Sequence, residues 1–277
     1  MTDTAIEIHG LSHNYEPLHA AIHDVTLSIQ PGRWVAICGQ NGAGKTTLVK
    51  HLNGLLKPTK GSVLVNGMDT RRSSVAELAR HVGFVFQNPD HQIFCATCRE
   101  EIAFGPRNLG EADDVVRART EEAMAWFGLE PYAAHPPALL SFGQRRLVAL
   151  AAVLAMQPSI LILDEPTVGL DAASAESLLL RIQALHRQGR TIVLVTHDLA
   201  LAARYAREMV VMAQGRVLAH DVTRSLLAQP DLLRRADLEP PQITQLCQGL
   251  AHLGLPSDAM TVDEAAAAIV AQLGRRP

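Results

Sequence analysis

The sequence predicts an α/β fold in which helices wrap a parallel sheet, with an antiparallel β-subdomain before it, an inserted helical subdomain and a helical tail. Three features of the chain support this prediction. Before residue 87 the apolar pattern is that of short strands, and from 88 to 158 it is helical with almost no strand signal. After residue 158, apolar strands alternate with helical segments, which is typical of a parallel sheet covered by helices.

The N-terminal strands have two kinds of apolar pattern. Residues 6–8 and 25–29 alternate between polar and apolar side chains, as half-buried antiparallel strands do. Residues 63–65 form another short strand, and the Asn66 and Gly67 that follow predict a tight turn. Residues 81–86 are more continuously apolar, which predicts a strand that is buried on both faces.

Helices and strands alternate in the rest of the chain. We expect helices over 111–127, 143–156 and 173–187, and strands over 160–163, 191–195 and 209–211. These segments predict one domain over 1–220, in which a core of 1–87 and 159–220 encloses the helical subdomain 88–158. Residues 221–277 are predicted to form a helical dimerisation region.

This tail is predicted to hold two or three helices with apolar faces. One helical stripe consists of Ile243, Leu246, Cys247, Leu250 and Leu253. A further helix begins at a capping box and carries a second apolar set; the box runs from Thr261 to Glu264, and the set is Ile269, Val270 and Leu273. The stripe packs either in a core of the tail itself or on a second copy of the chain. Because a short tail has little core of its own, we favour the second copy.

Composition narrows the class of protein. With 277 residues and 48% hydrophobic side chains, the chain can form a packed core without disulfides. The net charge of -3 argues against a general nucleic-acid binder, and short basic pairs such as Arg145 and Arg146 are interpreted as solvated faces. The longest apolar stretch, 147–156, is too short to cross a bilayer, and no signal peptide is visible. We therefore expect a cytosolic protein that reaches a membrane through a partner.

Two of the four cysteines, Cys95 and Cys98, have the spacing of metal ligands. No second pair and no nearby pair of histidines completes such a site in the sequence. Ordinary reduced thiols are the expectation, and a structural zinc or a redox pair is the alternative.

The most specific motif follows the apolar strand 34–38. Its glycines let backbone N–H groups approach phosphate oxygens, and the helix that starts near Lys45 adds its positive dipole end. Lys45 reaches the outer phosphates, and the Thr46 hydroxyl can bind Mg²⁺. The motif therefore predicts binding of a nucleoside triphosphate. Its residues, called the phosphate loop below, are Gly39, Gln40, Asn41, Gly42, Ala43, Gly44, Lys45, Thr46 and Thr47.

Two carboxylates end the apolar strand 160–163. Asp164 suits a position beside Mg²⁺, and Glu165 can orient and deprotonate a water that attacks the γ-phosphate. Two acidic residues can also end a strand without any chemical role. Their pairing with the phosphate loop favours the catalytic interpretation.

Three further residues are candidates for nucleotide contacts, each with a plain alternative. His197 ends a strand, so its imidazole can hydrogen-bond the γ-phosphate or simply cap a helix. Gln87 closes the strand before the helical subdomain, where it can touch Mg²⁺ or water, or be a surface glutamine. Tyr15 lies in a loop after the first strand, where it can stack on adenine or be an ordinary surface tyrosine.

A second anion site is predicted at residues 141–144. Ser141 and Gln144 form a capping box at the start of a helix. The free N–H groups and the dipole at that end also attract an anion. No arrangement within one chain obviously brings this helix end to the phosphate loop. Two chains that face each other head to tail would do so.

Together these motifs, in this order, resemble those of the ATP-binding cassette ATPases over about residues 5–220. The matching segments are Gly39–Thr47 (phosphate loop), Gln87 (Q-loop), Ser141–Gln144 (signature), Ile160–Glu165 (second nucleotide motif), Gly169–Asp171 (D-loop) and His197 (switch histidine). The resemblance implies a P-loop NTPase core with a RecA-like sheet. It also implies two ATP molecules in a dimer, each held between one chain's phosphate loop and the other chain's signature.

On this interpretation the site residues have distinct roles. Lys45, Glu165 and His197 carry catalysis, and Mg²⁺ contacts Thr46, Gln87 and Asp164. The nucleotide also contacts the phosphate loop and residues outside it. Those further contacts are Tyr15, Ser141, Gly143, Gln144 and Asp171.

A finer resemblance is to the ATPase subunits of energy-coupling-factor importers, through residues 86–94, 101–110 and 240–246. It implies a transmembrane coupling protein that is gripped through a groove beside the Q-loop, a substrate-binding membrane subunit, and a location on the cytoplasmic face of the membrane. Residues 240–246 would help to hold two ATPases together. The signature is most like that of the cobalt-import ATPase, with nickel and vitamins as alternative cargoes.

Two residues depart from the family pattern. Phe142 replaces the usual first glycine of the signature, which brings a ring to a place where backbone normally lies close to a phosphate. Leu147 stands where an arginine is common. We expect activity to survive, because Ser141 and Gly143 are the closer phosphate contacts in the family.

Both composite sites can be built from two identical chains, so a homodimer is chemically sufficient, and a paralogous ATPase is the alternative partner. A soluble cassette ATPase that acts on DNA or ribosomes would predict tandem cassettes, a long coiled-coil insert or a basic face, and the sequence has none of them. A GTPase would need an Asn-Lys-x-Asp motif, which we do not find. A small-molecule kinase has no use for the second anion-binding helix.

Overall fold

The computed structural model describes residues 4–16 and 19–273. Their strands are β1 (Ile6–Glu16), β2 (His19–Ile29), β3 (Trp34–Cys38), β4 (Lys60–Val65), β5 (Met68–Asp69), β6 (Val82–Val85), β7 (Ile160–Asp164), β8 (Thr191–Thr196), β9 (Glu208–Ala213) and β10 (Arg216–Val222). They form a four-stranded antiparallel sheet, β2-β1-β4-β5, and a six-stranded sheet, β10-β9-β3-β8-β7-β6. In the larger sheet, all neighbouring pairs except β9 and β10 are parallel. This architecture confirms the predicted α/β fold.

Helices cover the parallel sheet and form the middle and the end of the chain. They are α1 (Lys45–Leu52), α2 (Val75–Ala79), α3 (Cys98–Asn108), α4 (Asp113–Phe127), α5 (Phe142–Ala155), α6 (Ala172–Arg187), α7 (Leu199–Tyr205), α8 (Thr223–Leu227), α9 (Pro230–Arg235), α10 (Gln242–Gly249) and α11 (Val262–Leu273). Among the described residues, no helix combines the length and apolar character needed to cross a membrane.

Apolar alternation along β3 builds two cores on opposite faces of the parallel sheet. Val35 and Ile37 pack toward the antiparallel sheet and α1. Trp34, Ala36 and Cys38 pack toward the helices on the other face. Because both faces are covered, every residue of this strand is buried, which explains its continuous apolar run.

The turn after β4 has the backbone that the sequence predicts. Asn66 and Gly67 have φ of 47° and 79°, and β4 pairs with β5 across them. Two left-handed residues in succession are what a two-residue type I′ hairpin requires. The prediction at this turn is confirmed.

The segment between β6 and β7 is helical, as expected, and α4 and α5 agree with the predicted helices to within about two residues at their ends. Helix α3 was not predicted from the sequence. Gly105 and Pro106 near its end obscure the helical pattern, although a full capping box of Thr97 and Glu100 marks its start. Cys98 lies in the core at the start of α3, and no third ligand joins it and Cys95 within the described residues.

Up to residue 273, where the described part of the tail ends, there are four α-helices and not two or three, so that prediction was wrong. Helices α8 and α9 have only 5 and 6 residues, too few for a helical period to show in the sequence. They pack on the main core through Leu226, Leu227 and Leu233. The domain boundaries stay a prediction.

Beyond these two helices, α10 and α11 share a small core. Cys247, Ala259 and Ala265 are buried there, and Ile243 packs against them. Other members of the apolar stripes are exposed, including Leu246 at 49% and Val270 at 69%. The stripe therefore packs partly within the tail, and its use by a second copy of the chain stays a prediction.

A buried histidine pair lies where β1 meets α1. His51 is fully buried, and its Nδ1 bonds the Thr47 carbonyl at 2.8 Å. Within the described residues its Nε2 has no hydrogen-bond partner, and the His13 ring lies 4.7 Å away. Burial lowers the pKa of His51 from 6.5 to about 4. The folded protein therefore holds a neutral imidazole at this position at neutral pH.

We predict that the free energy of unfolding decreases as the pH falls from about 6.5 to about 4. In that interval the unfolded chain protonates His51 and the folded chain does not, so acid favours unfolding by at most about 3 kcal/mol from this group. Chemical denaturation at a series of pH values measures the slope. The His51→Gln variant should have a shallower slope, whatever its stability at pH 7.

The exposed His91 provides the matched control. His91→Gln should leave the pH slope of the parent chain unchanged. If His51→Gln retained the full slope, His51 would not be the source of the acid sensitivity.

Candidate nucleotide site

The phosphate loop joins β3 to α1. Gly42 and Gly44 have φ of 83° and 96°, a region that favours glycine. A Cβ on Gly39 would collide with the carbonyl oxygen of Met212 in β9. No side chain caps α1 among the described residues, so its first N–H groups are free to bind an anion.

The β9–β10 hairpin braces this loop. The Gly215 N–H donates to the Ala43 carbonyl at 3.1 Å, and the His23 N–H donates to the Gly215 carbonyl at 2.8 Å. A Cβ on Gly44 would lie 2.9 Å from the Ala21 carbonyl oxygen. The loop is therefore packed directly against β2 and the hairpin, which holds its backbone in shape.

Lys45 begins α1 and turns back over the loop. Its Nζ donates to the carbonyls of Gly39 at 2.7 Å and Gln40 at 3.0 Å. Burial lowers the pKa of this ammonium, and the nearby carboxylates of Glu165 and Asp164 act in the opposite direction. A phosphate oxygen is a stronger acceptor for an ammonium than a carbonyl is.

Thr46 and Asp164 meet at the end of β7. The Thr46 hydroxyl donates to Asp164 Oδ2 at 2.8 Å. Asp164 is buried, and burial raises its pKa, while the Thr46 hydrogen bond lowers it. This edge of the sheet thus offers a hydroxyl oxygen and a carboxylate oxygen side by side.

Glu165 lies next to this pair and is held by β8. Its Oε1 accepts from the His197 N–H at 3.0 Å and lies 2.8 Å from His197 Nδ1, and its Oε2 accepts from the Thr196 hydroxyl at 3.3 Å. The backbone φ of Glu165 is 48°, in the left-handed region. Only 8% of the Glu165 side chain is exposed, against 53% of the His197 side chain.

Most of these residues open onto one cavity of about 430 Å³. Gln87, after β6, reaches it from the neighbouring strand. Tyr15 lies in β1 and not in a loop as predicted; its hydroxyl is 3.2 Å from Thr47 Oγ1 near the cavity edge, and the residue is 59% exposed. Of the predicted site residues, those that line the cavity are Asn41, Gly42, Gly44, Lys45, Thr46, Thr47, Gln87, Asp164 and Glu165.

Nine of the predicted site residues do not line that cavity in the described part of the chain, and four of these nine lie at the starts of α5 and α6: Ser141, Gly143, Gln144 and Asp171. Ser141 caps α5 in a full capping box, in which the Ser141 Oγ accepts from the Gln144 N–H at 3.3 Å. Gly143 lies in the first turn of α5, where an added Cβ would be 3.3 Å from Leu170 Cδ2. Asp171 caps α6 through Ser174, and these hydrogen bonds lower the pKa of Asp171. The structure does not bring the signature of a chain to its own phosphate loop.

Phe142 has an unexpected environment. Its ring packs on Gly169, where a Cβ would lie 2.9 Å from Phe142 Cε1. The guanidinium carbon of Arg146 lies 5.1 Å from the ring centroid. The ring therefore contacts its own chain on the side of the D-loop, which explains how α5 can start with so large a side chain.

The prediction that Arg146 lies on a solvated face was wrong. The residue is only 1% exposed. Its guanidinium donates to the carbonyls of Glu165 and Gln87. A signal was available, because Arg146 shares one helix face with Ala149, Leu150 and Val153. The adjacent Arg145 suggested an exposed basic pair, which is why burial of Arg146 was not predicted.

The chain is similar in sequence to known proteins. The ABC transporter family model matches residues 22–168. A relative from Methanothermobacter thermautotrophicus, energy-coupling factor transporter ATP-binding protein EcfA, is 37% identical over 262 residues, which covers 94% of this chain and 84% of that protein.

Two solved structures are similar as well. One is cbiO1 from Clostridium perfringens, part of the ABC transporter complex cbiONQ, with 34% identity, a TM-score of 0.75, and coverage of 88% of this chain and 98% of that one. The other is the ATP-binding cassette MJ0796, dimeric in a post-hydrolysis state with ADP and Pi, at 29% identity and a TM-score of 0.72 over 79% of this chain and 98% of that one.

This chain thus has a phosphate loop, paired carboxylates and a histidine at one edge of its sheet. It is also similar to ATP-binding subunits of transporters over most of its length. The solved cbiO1 structure shares the fold, and the family model covers the segment that holds the phosphate loop and the paired carboxylates. The chain belongs to the ATP-binding cassette family of ABC transporter ATPases, among the ATP-binding proteins of energy-coupling factor transporters.

Proposed function

We propose that this chain hydrolyses ATP between two cassettes and so drives a membrane importer of the energy-coupling-factor class. The observation that carries the proposal is the position of Glu165, which lies beside the phosphate-loop cavity with its carboxylate held by His197 and Thr196. That arrangement provides a base next to the place where a terminal phosphate would lie.

Nucleotide binding rests on groups that the fold already aims at the cavity. N–H groups at the start of α1 and the Lys45 ammonium would hold the phosphates. The hydroxyl of Thr46 and the carboxylate of Asp164, 2.8 Å apart, fit Mg²⁺, which prefers oxygen ligands, and Gln87 lines the same cavity. When bound, Mg²⁺ neutralises charge on the β- and γ-phosphate oxygens. Tyr15, near the cavity edge, would stack on adenine.

Hydrolysis then needs one water and one proton acceptor. The water oxygen forms a bond to the γ-phosphorus as the bond from that phosphorus to the ADP oxygen breaks, and the water proton passes to Glu165. Backbone and hydroxyl donors fix the Glu165 carboxylate before reaction. His197, half exposed beside it, is the group that would contact the γ-phosphate.

A second cassette would complete each site. The N-terminus of α5, with Ser141 and Gly143, lies outside its own cavity, and its capping box uses only the Gln144 N–H of the first turn. In a head-to-tail pair, that end would face the phosphates bound by the other chain. Asp171, exposed at the start of α6, would lie near the same interface. Two copies of this chain are sufficient for both sites, and a paralogous ATPase is the alternative partner.

We predict that Glu165→Gln lowers the rate of ATP hydrolysis at least about a hundredfold, because the amide cannot accept the water proton. ATP binding should persist, since the amide oxygen can still accept from the His197 N–H while the amide nitrogen donates to the Thr196 hydroxyl oxygen. Phosphate release measures the rate, and calorimetric titration with MgATP measures binding.

The matched control is Glu121→Gln, which changes an exposed carboxylate on α4. It should hydrolyse ATP at the parent rate. Near-normal hydrolysis by Glu165→Gln would remove Glu165 from the catalytic role.

We also predict that two inactive variants restore activity when they are mixed. Lys45→Ala disables the phosphate loop, and Ser141→Asp keeps a good helix cap while its carboxylate repels the γ-phosphate. A mixed dimer carries both defects in one site and leaves the other site intact. Random mixing of equal amounts should therefore recover roughly a quarter of the parent rate.

Each variant alone provides the baseline, and a mixture of Lys45→Ala with Glu165→Gln is the matched control. Both of those defects lie on the same side of a site, so neither site of their mixed dimer is intact. If the mixture with Ser141→Asp stayed inactive, the composite site would be contradicted.

The membrane partner would dock in an apolar groove beside the Q-loop. Phe94 and Phe104 are 65% and 40% exposed there, with their rings edge to face at 4.6 Å. Buried Glu101 holds the Phe94 segment by accepting from the N–H groups of Phe94 and Cys95. Exposed aromatic side chains over an apolar groove are typical of a protein-binding site. A transmembrane coupling protein and a substrate-binding membrane subunit would complete the importer at the cytoplasmic face.

Cobalt ions are our proposed cargo, because the signature from Ser141 to Gln144 is most like that of cobalt-import ATPases. Nickel and vitamins are the alternatives. The cargo does not have to contact this chain, so the proposal rests on that likeness alone.

We predict that Phe94→Glu lowers cobalt uptake at least about tenfold in cells that express the whole transporter, because a carboxylate cannot enter an apolar interface without a large desolvation cost. Hydrolysis by the isolated chain should stay within about twofold of the parent, since Phe94 lies outside the cavity of the phosphate loop. Leu180→Glu, at an exposed apolar position on α6, should leave uptake unchanged. Normal uptake with Lys45→Ala would contradict the transport role itself.

A further inference from the structure

A buried arginine joins three parts of the nucleotide site. Arg146, in the second turn of α5, is 1% exposed. Its Nη2 donates to the Gln87 carbonyl at 2.6 Å, and its Nη1 donates to the Glu165 carbonyl at 2.9 Å. One rigid guanidinium therefore connects the segment after β6, the turn after β7 and the signature helix.

Backbone carbonyls and an aromatic face compensate part of this buried charge, although the Arg146 Nε has no hydrogen-bond partner among the described residues. The Phe142 ring lies 5.1 Å from the guanidinium carbon, within the range of a cation–π contact. Burial lowers the pKa of Arg146, and an arginine keeps its proton in proteins even so. A buried charge that loses one of its few partners raises the free energy of the folded protein, so the guanidinium favours the conformation in which both carbonyls stay in place.

Glu165 needs this support because its backbone is unusual. Its φ of 48° is in a region that residues with side chains seldom adopt. The Glu165 N–H donates to the Val195 carbonyl at 2.9 Å, and its own carbonyl accepts from Arg146. Because the N–H and the carbonyl of Glu165 are both hydrogen-bonded, only rotation about its side-chain bonds can still move the carboxylate.

Phe142 extends the connection to the D-loop. Its ring fills the space beside Gly169, where a Cβ would lie 2.9 Å away. The side chain that departs from the family pattern is therefore the one that covers the guanidinium. In this chain the ring and the guanidinium form a single packed unit at the start of α5.

We propose that Arg146, covered by Phe142, is a positioning residue that fixes the main chain of Glu165 and makes its position depend on that of Gln87. This inference rests on the proposed function, in which Glu165 is the base. It goes further because it assigns the alignment of that base to a residue of the signature helix. A displacement of the Gln87 segment is then transmitted to the hydrolytic carboxylate through one side chain.

The test is steady-state hydrolysis by Arg146→Lys. An ammonium keeps the charge but cannot reach both carbonyls with the fixed geometry of the guanidinium. We expect kcat to fall about tenfold to a hundredfold through misalignment of Glu165, with the KM for ATP changed less than about threefold. An unchanged kcat, or a loss that appears only in KM, would overturn the proposal.

A double variant separates positioning from general damage. If Arg146 acts through Glu165, adding Arg146→Lys to Glu165→Gln should leave the residual single-turnover rate of Glu165→Gln within about twofold. A merely structural role would lower that residual rate further, and such a result would refute the proposal. Radiolabelled ATP with enzyme in excess measures these slow rates.

Arg190→Lys is the matched control. Burial lowers the pKa of Arg190, as it does for Arg146, but Arg190 comes directly before the first residue of β8, at the end of the strand away from the site. The kcat of this variant should equal that of the parent. If circular dichroism shows that Arg146→Lys does not fold, Phe142→Leu is the variant that tests the proposal. It should lower kcat at least about twofold, because the ring contact with the guanidinium is lost. In the Glu165→Gln background it should have no such effect. A parental kcat for Phe142→Leu would then overturn the proposal.

The outcomes for the two proposals differ. Near-normal hydrolysis by Glu165→Gln contradicts the proposed function and, with it, this inference. An inactive Glu165→Gln together with a fully active Arg146→Lys contradicts only the inference.

Discussion

The hydrogen-bonded register of three parallel strands determines how the central groups of the candidate nucleotide site lie relative to one another. In this register, Cys38 at the end of β3 pairs with Thr196 of β8, and Asp164 at the end of β7 pairs with Val195. The phosphate loop, the acidic pair and His197 therefore leave the sheet at the same edge. A shift of one residue in any of these strands would turn its apolar side chains to the other face, so the two cores protect the site.

Chemistry at this edge depends on partly desolvated charges. Burial lowers the pKa of Lys45 and raises that of Asp164, which disfavours the charged form of both groups in the folded protein. Hydrogen bonds from Thr46 to Asp164 and from Lys45 to the loop carbonyls offset part of this cost. Strained backbone, buried charge and free helix ends all occur here, as they do where a protein favours function over stability.

The sequence was informative where a local pattern carries the structure. The continuous apolar strands, the turn at Asn66 and the glycine-rich loop each have a physical cause within a few residues of chain, and the structure agrees with all three. Helix α3 and the short α8 and α9 were missed, because a Gly-Pro pair or a length of one to two turns hides the helical period. Arg146 was misread because its partners, Gln87 and Glu165, are 59 and 19 residues away along the chain. The apolar helix face that Arg146 shares was a local signal of its burial, but its partners are set by tertiary structure and leave no local pattern.

The brace on the phosphate loop has a thermodynamic consequence. Gly215 and Ala43 are joined by a hydrogen bond, and Gly44 fits tightly against Ala21. A loop that already has its final backbone shape loses little conformational entropy when it closes around an anion. Its affinity can then come from modest, evenly distributed electrostatic contacts, and release of the product does not require the loop to unfold. A preformed phosphate loop of this kind suits an ATPase that binds nucleotide and releases product in every cycle.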